Sequence, residues 1–412
     1  MSEFLRLEKP SIALKNFLAQ IPAAELKTES IPTINAMGRI CASSVISPES
    51  SPGFNRSTVD GYGVHAVDSF GATEGVPAFF KIIGEVRMGE KPDFKVATGE
   101  VALIHTGGML PEGCDAVIMI EQTQTTRENE IEVSKAVSQG ENTILAGEDI
   151  SPGQEIIGAG KLVRVMEIGG LLAVGIQQIE VFRKPVVGIL SSGDELVTAS
   201  ETPLPGQIRD INSAMLSALI TSHRGIGKVF ELMPDDPEKM LAIAEEAFKS
   251  CDSLVITAGS SASTRDYTAR IIQSLGDPGV IVHGVNIKPG KPTILAVCDG
   301  KPVIGLPGNP VSAYIIASLF AIPMLRRLTG EVDPIPQIRG IARLKVNLAS
   351  LAGREDFWPV RIKQIDDEWV AEPIFYKSNL IFTLVNADAL AIIPEDANGV
   401  EAGSLIDFIP LR

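Results

Sequence analysis

The chain has 412 residues, a length that predicts two to four domains at about 150 residues per domain. Hydrophobic residues make up 45% of the chain and charged residues 21%, a balance typical of globular proteins that excludes the disordered and fibrous classes. The net charge is −15, and the lysines and arginines form no basic face, so the sequence predicts no nucleic-acid partner. A small anionic substrate is compatible with this charge if a few cations gather in one cleft.

The four cysteines and four histidines lie far apart, without the paired spacing of a disulfide framework or a zinc site. Glu3, Arg6 and Glu8 interrupt the N-terminus, which predicts no signal peptide. In the longest uncharged stretch, 302–325, prolines leave a predicted helix of only 311–322, which is too short to cross a membrane. We therefore expect a cytoplasmic protein with no membrane partner.

The first half of the chain divides into a helix, a linking module and an insertion. The helix lies within residues 1–27, with Leu14, Phe17, Leu18 and Ile21 at helical spacing. Glycines and short apolar runs predict a mostly β insertion at 53–150, with strands at 79–83, 101–104, 116–120 and 130–133. The flanking segments 28–52 and 151–182 are assigned to a small linking module.

Residues 183–330 have the clearest pattern, because apolar runs alternate with helical segments. The runs lie at 186–190, 229–233, 254–257, 280–283 and 303–306, and Asp236 followed by Pro237 predicts a helix start. This alternation predicts a mostly parallel sheet with helices on both faces, which binds ligands beyond the carboxyl ends of its strands. Residues 335–412 change to short strands at 340–346, 356–362 and 389–393, which predict a small β-barrel.

Two polar turns follow predicted strands of the central sheet. Asp194 and Glu195 come after the run 186–190, where two carboxylates could hold a hard cation such as Mg²⁺, although a solvated turn is an equal alternative. The stretch 257–266 places small residues and hydroxyls before a helix, which suits a phosphate, although an ordinary strand-to-helix loop has the same composition.

Two further turns contain lysines or a helix start. Prolines stiffen the turn that holds Lys288 and Lys291, so its two ammonium groups could neutralise an oxyanion, with a plain surface turn as the alternative. Residues 305–312 connect a buried strand to a buried helix and could point the Ser312 hydroxyl at a ligand, or serve only as a tight connection. By spacing alone, the turns at Asp60, His105 and Asp149 are structural.

As an ordered set, these motifs resemble the molybdopterin molybdenumtransferases, the family that includes the E domain of gephyrin. The resemblance covers essentially the whole chain, and the motifs that carry it are Val59-Asp60-Gly61-Tyr62, His105-Thr106-Gly107, Gly147-Glu148-Asp149-Ile150, Ser192-Gly193-Asp194-Glu195-Leu196, Lys288-Pro289-Gly290-Lys291-Pro292 and Gly305-Leu306-Pro307-Gly308-Asn309-Pro310. It implies an α/β multidomain fold in which a doubly wound molybdopterin-binding domain recruits the N-terminal helix and is joined by a mostly β insertion, a linking module and a C-terminal β-barrel.

The resemblance also implies an activity and partners. The family inserts molybdenum from molybdate into adenylylated molybdopterin, with Mg²⁺-dependent release of AMP, and works as a homodimer whose sites lie between subunits. Asp60 and Thr106 of one chain would then face the α/β loops of the other. Further partners implied are the molybdopterin adenylyltransferase and the molybdoenzyme apoproteins that receive the cofactor.

Residue roles are carried over in the same way. The catalytic set is Asp60, Thr106, Asp149, Glu195, Asp235, Lys288 and Lys291. The Mg²⁺ ligands are taken from Asp194, Glu195 and Asp235. The substrate-binding set is Gly193, Gly259, Ser260, Ser261, Asp266, Pro307, Gly308, Asn309, Ser312, Arg354 and Ser378.

One loop departs from the family pattern. Where the family has a Thr-Ser-Gly-Gly-Val-Ser-like loop, Ser260 replaces the second glycine, and the loop is about one residue shorter before Asp266. This departure supports an alternative in which the chain is a non-catalytic molybdopterin carrier or sensor. A gephyrin-like scaffold is a weaker alternative, because the expected long linker and additional N-terminal domain are not found in the sequence.

Overall fold

A computed structural model describes residues 7–22, 26–258, 262–332 and 338–411, with the side chains of 262–266 outside the description. The first helix, Pro10–Gln20, begins at a proline, whose missing N–H is tolerated in the first helical turn. Ala13, Phe17 and Ile21 are buried in the same core cluster as residues of the central sheet. The helix therefore packs on the central α/β region.

The chain segments on either side of the insertion pair with each other. Strand Thr28–Pro32 is antiparallel to Gln178–Phe182, and Val45–Ile46 is antiparallel to Glu155–Ile157. Helix Val165–Ala173 covers this pair of ribbons and buries Leu171 in a small core of their own. The two segments of the predicted linking module are thus in contact.

The insertion contains a six-stranded sheet. Its strands, in spatial order, are Ala116–Met119, Gly61–Val64, Glu100–Ile104, Ala78–Glu85, Glu130–Val133 and Thr123–Arg127. Arg56–Ser57 and Thr143–Ile144 form a separate short antiparallel ribbon. Gly61 is required between its neighbours, because a Cβ there would overlap the Ile118 carbonyl.

The central sheet has six strands. In spatial order they are Ile226–Val229, Val186–Ser191, Ser253–Ala258, Lys301–Pro307, Ile294–Cys298 and Pro278–His283. The first four are parallel, Ile294–Cys298 is antiparallel to Lys301–Pro307, and Pro278–His283 is antiparallel to Ile294–Cys298. Separate core clusters cover the two faces. The covering helices are Asn212–Ser222, Pro237–Ser250, Ala262–Ser274 and Pro310–Leu328. The doubly wound prediction is confirmed.

Details of this region differ from the prediction. The run 229–233 is wrong as a strand, because the strand is Ile226–Val229 and Met233 forms only an isolated bridge with Ser192. The prediction also omits strand Ile294–Cys298, which is buried along its whole length, as Ser253–Ala258 is. The helix start at Asp236 is confirmed, because its carboxylate accepts the N–H groups of Glu238 and Lys239 at 3.0 and 3.2 Å.

The prediction that the apolar helix ends before Pro323 is wrong. The helix runs for 19 residues from Pro310 to Leu328, with a π-helical segment at Ala317–Ala321. The wider π turn lets the chain pass a proline that lacks an N–H. By length and composition this helix could cross a membrane, but 56% of its most apolar window is buried inside the protein, as in a core helix.

The C-terminal region is a closed barrel, as predicted. Its strands are Gly340–Leu344, Glu355–Ile365, Glu368–Pro373, Ala389–Ile393 and Leu405–Pro410. The long strand Glu355–Ile365 closes it by pairing with both Glu368–Pro373 and Ala389–Ile393. Strand Ile287–Lys288, which leaves the central region, adds to the barrel in parallel with Glu355 and Asp356. This pairing brings the lysine turn to the barrel.

Candidate active site

A cavity of about 390 Å³ lies between the carboxyl edge of the central sheet and the barrel. Its volume falls within the range of small-molecule sites. Of the predicted site residues it is lined by Lys288, Lys291, Pro307, Asn309, Ser312, Arg354 and Ser378. The charged residues among its described lining are Lys288, Lys291 and Arg354, all cations, and we call it the cationic cavity.

The lysine turn, 288–292, presents its two ammonium groups differently. Gly290 has a φ of +113°, and a Cβ there would overlap the Ile316 side chain, so only glycine fits. The Lys288 Nζ lies 5.4 Å from the centre of the Trp358 ring and 3.9 Å from the Asp356 carboxylate. Lys291 is exposed and has no ion-pair partner within the described ranges. Its charge is therefore the more available to a bound anion.

The barrel contributes a cation held by a buried acid. Arg354 donates from Nε and Nη2 to the two carboxylate oxygens of Asp356, at 2.6 and 3.0 Å. Asp356 is 0% exposed. Residues two apart point to one side of a strand, so Arg354, Asp356 and Trp358 share the side that faces the cavity. The fork geometry fixes the guanidinium plane before any ligand arrives.

Polar contacts fix the turn before the long helix. Asn309 donates from Nδ2 to the Ser378 hydroxyl at 2.9 Å, and the Val311 N–H donates to the Ser378 carbonyl at 3.1 Å. Asn212, at the start of its own helix, donates from Nδ2 to the Gly308 carbonyl at 2.7 Å. These contacts place the buried Ser312 hydroxyl in the cavity wall.

Three carboxylates gather at the next part of the sheet edge. Asp194 and Glu195 follow strand Val186–Ser191, and the Asp235 N–H donates to the Asp194 carboxylate at 3.0 Å. Partial burial, and then the charges of Asp194 and Glu195, raise the pKa of Asp235. Gly193 has a φ of +151° and lies against the Glu195 carboxylate. We call Asp194, Glu195 and Asp235 the acidic cluster.

The acidic cluster and the cationic cavity lie at one edge of the sheet. Strands Val186–Ser191, Ser253–Ala258 and Lys301–Pro307 are parallel neighbours, so their carboxyl ends span two inter-strand spacings, or about 10 Å. Ala258 lines the cavity at the end of the middle strand. The strands that precede the acidic cluster and the cationic cavity therefore end at the same edge of the sheet.

The donor chemistry of the acidic cluster fits Mg²⁺. Within the described residues, no three His, Cys, Asp or Glu side chains form a metal-holding group. Mg²⁺ does not require such a cage, because it is usually held by one or two carboxylates together with waters and substrate phosphates. Partial burial is the main cause of the raised pKa of Asp235, and the charges of Asp194 and Glu195, which a cation would offset, raise it further.

Three predicted catalytic residues lie in the insertion and belong neither to the lining of the cationic cavity nor to the acidic cluster. Asp60 accepts the N–H of Thr106 at 2.8 Å and its hydroxyl at 3.2 Å, in the insertion. The N–H contact is the main cause of the lowered pKa of Asp60. His105, which spacing alone left without a partner, lies between Asp60 at 3.7 Å and Glu85 at 3.0 Å. Asp149 is exposed elsewhere in the insertion.

Four other predicted residues are only partly visible or not at all. Gly259, Ser260 and Ser261 lie outside the described residues. Asp266 lies in helix Ala262–Ser274, but its side chain is outside the description.

Sequence reasoning missed several residues at the cavity. Asp356 lies beneath it, Trp358 and Tyr376 line it, and Asn212 holds the Gly308 carbonyl. Asp356 and Trp358 follow Arg354 at a spacing of two, so strand periodicity could have placed them on the same face. Tyr376 and Asn212 reach the site only through the fold.

Comparisons with known proteins agree with this architecture. The chain matches the MoeA N-terminal region (domain I and II) over residues 9–175, a probable molybdopterin binding domain over 188–327 and the MoeA C-terminal region (domain IV) over 341–411. It is 35% identical over 395 residues to a putative molybdopterin biosynthesis protein of Methanocaldococcus jannaschii, covering 94% of this chain and 93% of the relative. It is 28% identical over 402 residues to a molybdopterin molybdenumtransferase of Staphylococcus epidermidis, covering 96% and 94%.

A solved structure gives the same result. The molybdopterin biosynthesis MoeA protein from Pyrococcus horikoshii superimposes with a TM-score of 0.85 at 30% identity, covering 98% of this chain and 100% of that one. The match therefore extends over all the regions described above. The chain belongs to the MoeA family of molybdopterin biosynthesis proteins.

Proposed function

We propose that the chain is a molybdopterin molybdenumtransferase, which inserts molybdenum from molybdate into adenylylated molybdopterin with Mg²⁺-dependent release of AMP. The observation that carries the proposal is the cationic cavity, where Lys288, Lys291 and Arg354 converge in a protein of net charge −15. Such a protein repels anions at long range, so it needs a local cluster to capture one. A Staphylococcus epidermidis relative bears the name of this activity.

The cavity supplies the contacts that a tetrahedral oxyanion needs. Lys291 offers an unpaired ammonium group, Arg354 a fixed guanidinium, and Ser312 and Ser378 hydroxyl groups at the wall. In this proposal these groups hold molybdate, while the loop after Ala258 and the turn at Asn309 bind the pterin and its phosphate. Charge-assisted hydrogen bonds are roughly twice as strong as neutral ones, so the cations dominate capture.

The acidic cluster is the proposed Mg²⁺ site. Glu195, with Asp194 or Asp235, would hold the ion, which would neutralise the pyrophosphate and polarise its phosphorus. The chain's own contribution would be to place both groups after parallel strands whose carboxyl ends lie two inter-strand spacings apart, roughly 10 Å. One substrate can then span the place where its adenylyl group is cleaved and the place where molybdenum enters.

The remaining catalytic residues are proposed to come from a second subunit. Asp60, Thr106 and Asp149 do not line the cavity of their own chain, although the resemblance assigns them to the site. A homodimer that places this part of the insertion over the partner's cavity would complete it.

The unpaired state of all four cysteines supports a cytoplasmic location, since disulfides are rare there.

The decisive experiment supplies adenylylated molybdopterin, molybdate and Mg²⁺ and measures AMP release and cofactor formation. Glu195→Gln keeps the side chain's size but removes its charge, so AMP release should be lost while substrate binding stays within about tenfold, or ~1.4 kcal/mol. Equal AMP release by the variant and the wild type would remove Glu195 from the mechanism. Binding without AMP release by the wild type itself would favour the carrier or sensor.

The shared site has a separate test. At a limiting molybdate concentration Asp60→Ala and Lys291→Ala should each be nearly inactive, and mixing them should restore part of the activity through hybrid dimers that contain one intact site. Subunit exchange is verified with differently tagged chains. If exchange occurs and no activity returns, the two residues do not serve one site across the dimer.

A further inference from the structure

We propose that Asp356 sets the charge of the cationic cavity and thereby limits how strongly the cavity prefers a dianionic tetrahedral oxyanion over a monoanionic one. The inference rests on the proposed function only in taking the ligand to be an oxyanion. Asp356 was assigned no role by its sequence context, yet it is fully buried directly beneath the cavity. Its partners there are two of the three cations in the described lining.

Two cations of the described structure, Arg354 and Lys288, lie beside the buried Asp356 carboxylate. A buried carboxylate is tolerated only when it is paired and hydrogen-bonded. Arg354 supplies two hydrogen bonds, at 2.6 and 3.0 Å, and the Lys288 ammonium lies 3.9 Å away. Lys288 is also the direct partner of Asp356 in the parallel pairing between the lysine turn and the barrel. The same strand pairing that builds the cavity therefore brings the acid under its cations.

The charges that result match a dianion. Lys288, Lys291 and Arg354 contribute three positive charges and Asp356 one negative charge, so these four described groups carry a formal +2. Without Asp356 the same set would carry +3. Arg354 and Lys288 form ion pairs with Asp356, so an entering anion competes with this carboxylate for both cations. Among the described residues Lys291 has no such competing acid.

The consequence can be measured with two oxyanions of similar shape. Molybdate carries two negative charges and perrhenate one, so a change in cavity charge alters the binding free energy of molybdate twice as much as that of perrhenate. One unit charge about 6 Å away in a water-like dielectric changes the affinity for perrhenate about threefold and that for molybdate about tenfold. The fold-change in molybdate affinity should thus be close to the square of the fold-change in perrhenate affinity, whatever the effective dielectric.

The experiment measures equilibrium binding of molybdate and of perrhenate to the purified full-length protein by calorimetry, without turnover. Asp356→Asn should tighten both anions, by about threefold for perrhenate and about tenfold for molybdate. Asp356→Glu, which keeps the charge, is the matched control and should leave the ratio of the two affinities unchanged. Equal weakening of both anions in Asp356→Asn would show a packing role and overturn the inference.

A second comparison tests the proposal if Asp356→Asn alone does not fold, and it uses Arg354→Gln and the double variant of Arg354→Gln with Asp356→Asn. Arg354→Gln lowers the formal charge to +1 and should reduce the preference for molybdate over perrhenate. Adding Asp356→Asn to Arg354→Gln restores +2 without leaving a buried unpaired charge. The double variant should therefore recover the wild-type preference, and a preference that stays at the Arg354→Gln value would overturn the inference. Since no step measures AMP, the result is independent of whether the protein releases AMP.

Discussion

Lys291→Ala tests whether the unpaired ammonium group of the cationic cavity captures the dianion. Lys291 lines the cavity and forms no ion pair with any described residue, whereas Lys288 lies 3.9 Å from Asp356 and over the Trp358 ring. We therefore expect Lys291→Ala to raise the molybdate concentration needed for half-maximal cofactor formation more than Lys288→Ala does. Binding of adenylylated molybdopterin should change less.

The magnitude follows from the contact that is lost. A hydrogen bond to a charged group contributes about 1.5–3 kcal/mol, and each 1.4 kcal/mol is a factor of ten, so the required molybdate concentration should rise by about 10- to 150-fold. Lys288→Ala should cost less than that, because Asp356 already shares the charge of Lys288. Lys291→Arg should rescue only in part, since a planar fork does not replace a compact ammonium group.

The assay is a molybdate titration of cofactor formation, with pterin binding followed separately. Lys249→Ala is the control, because it removes an exposed lysine at the end of helix Pro237–Ser250 and changes the net charge by the same amount. An unchanged molybdate dependence in Lys291→Ala would refute the assignment. A loss confined to pterin binding would move Lys291 to the phosphate part of the site.

Three further predictions concern other parts of the molecule. Thr106→Val removes a hydroxyl that donates to Asp60 but keeps the N–H, so the lowered pKa of Asp60 should rise. The acid limb of the pH–rate profile should then move to higher pH. An acid limb that does not move would exclude Asp60 as its source. Asp235→Asn should raise the melting temperature near neutral pH, because the folded-state pKa of Asp235 is raised and its ionisation lowers stability as pH rises through that pKa. The difference in melting temperature should therefore vanish in acid. A difference that persists in acid would contradict this explanation. Mg²⁺ should stabilise the wild type more than Asp235→Asn, as thermal shifts would show. Phe17→Ala should lower the free energy of unfolding by about 3–5 kcal/mol in denaturant titrations, because Phe17 is fully buried against the central sheet, and a loss below 1 kcal/mol would mean that the helix contributes little.

Much of the fold follows from local patterns in the sequence. The alternation of apolar runs and helices is enough to predict the doubly wound sheet, because each element must bury one face against its neighbours. The cap at Asp236 was equally local, since the carboxylate bonds to N–H groups two and three residues ahead. Errors occurred where tertiary burial overrode a local rule, as at Pro323, where a π turn in the core carries the helix past a proline.

Much of the candidate site could also be predicted, because ligands bind where parallel strands end. Asp194, Lys291 and Asn309 lie in turns at or near the edge of the sheet, and their chemistry was apparent from the sequence. The roles came from the ordered family resemblance, since each turn alone has an ordinary structural explanation. The structure shows which of these turns meet in one cavity.

What the sequence determined by itself is the set of chemical groups: two lysines on a stiff turn, acids after a strand, and a barrel after the α/β region. What only the tertiary structure decided is how they combine. The pairing of Ile287–Lys288 with the barrel brings Lys288 beside Asp356, and the fork to Arg354 completes a buried charge network from segments far apart in the chain. The physical reason is that strand register and the cost of burying a charge both depend on residues that are distant in the chain. A short stretch of sequence therefore cannot predict them.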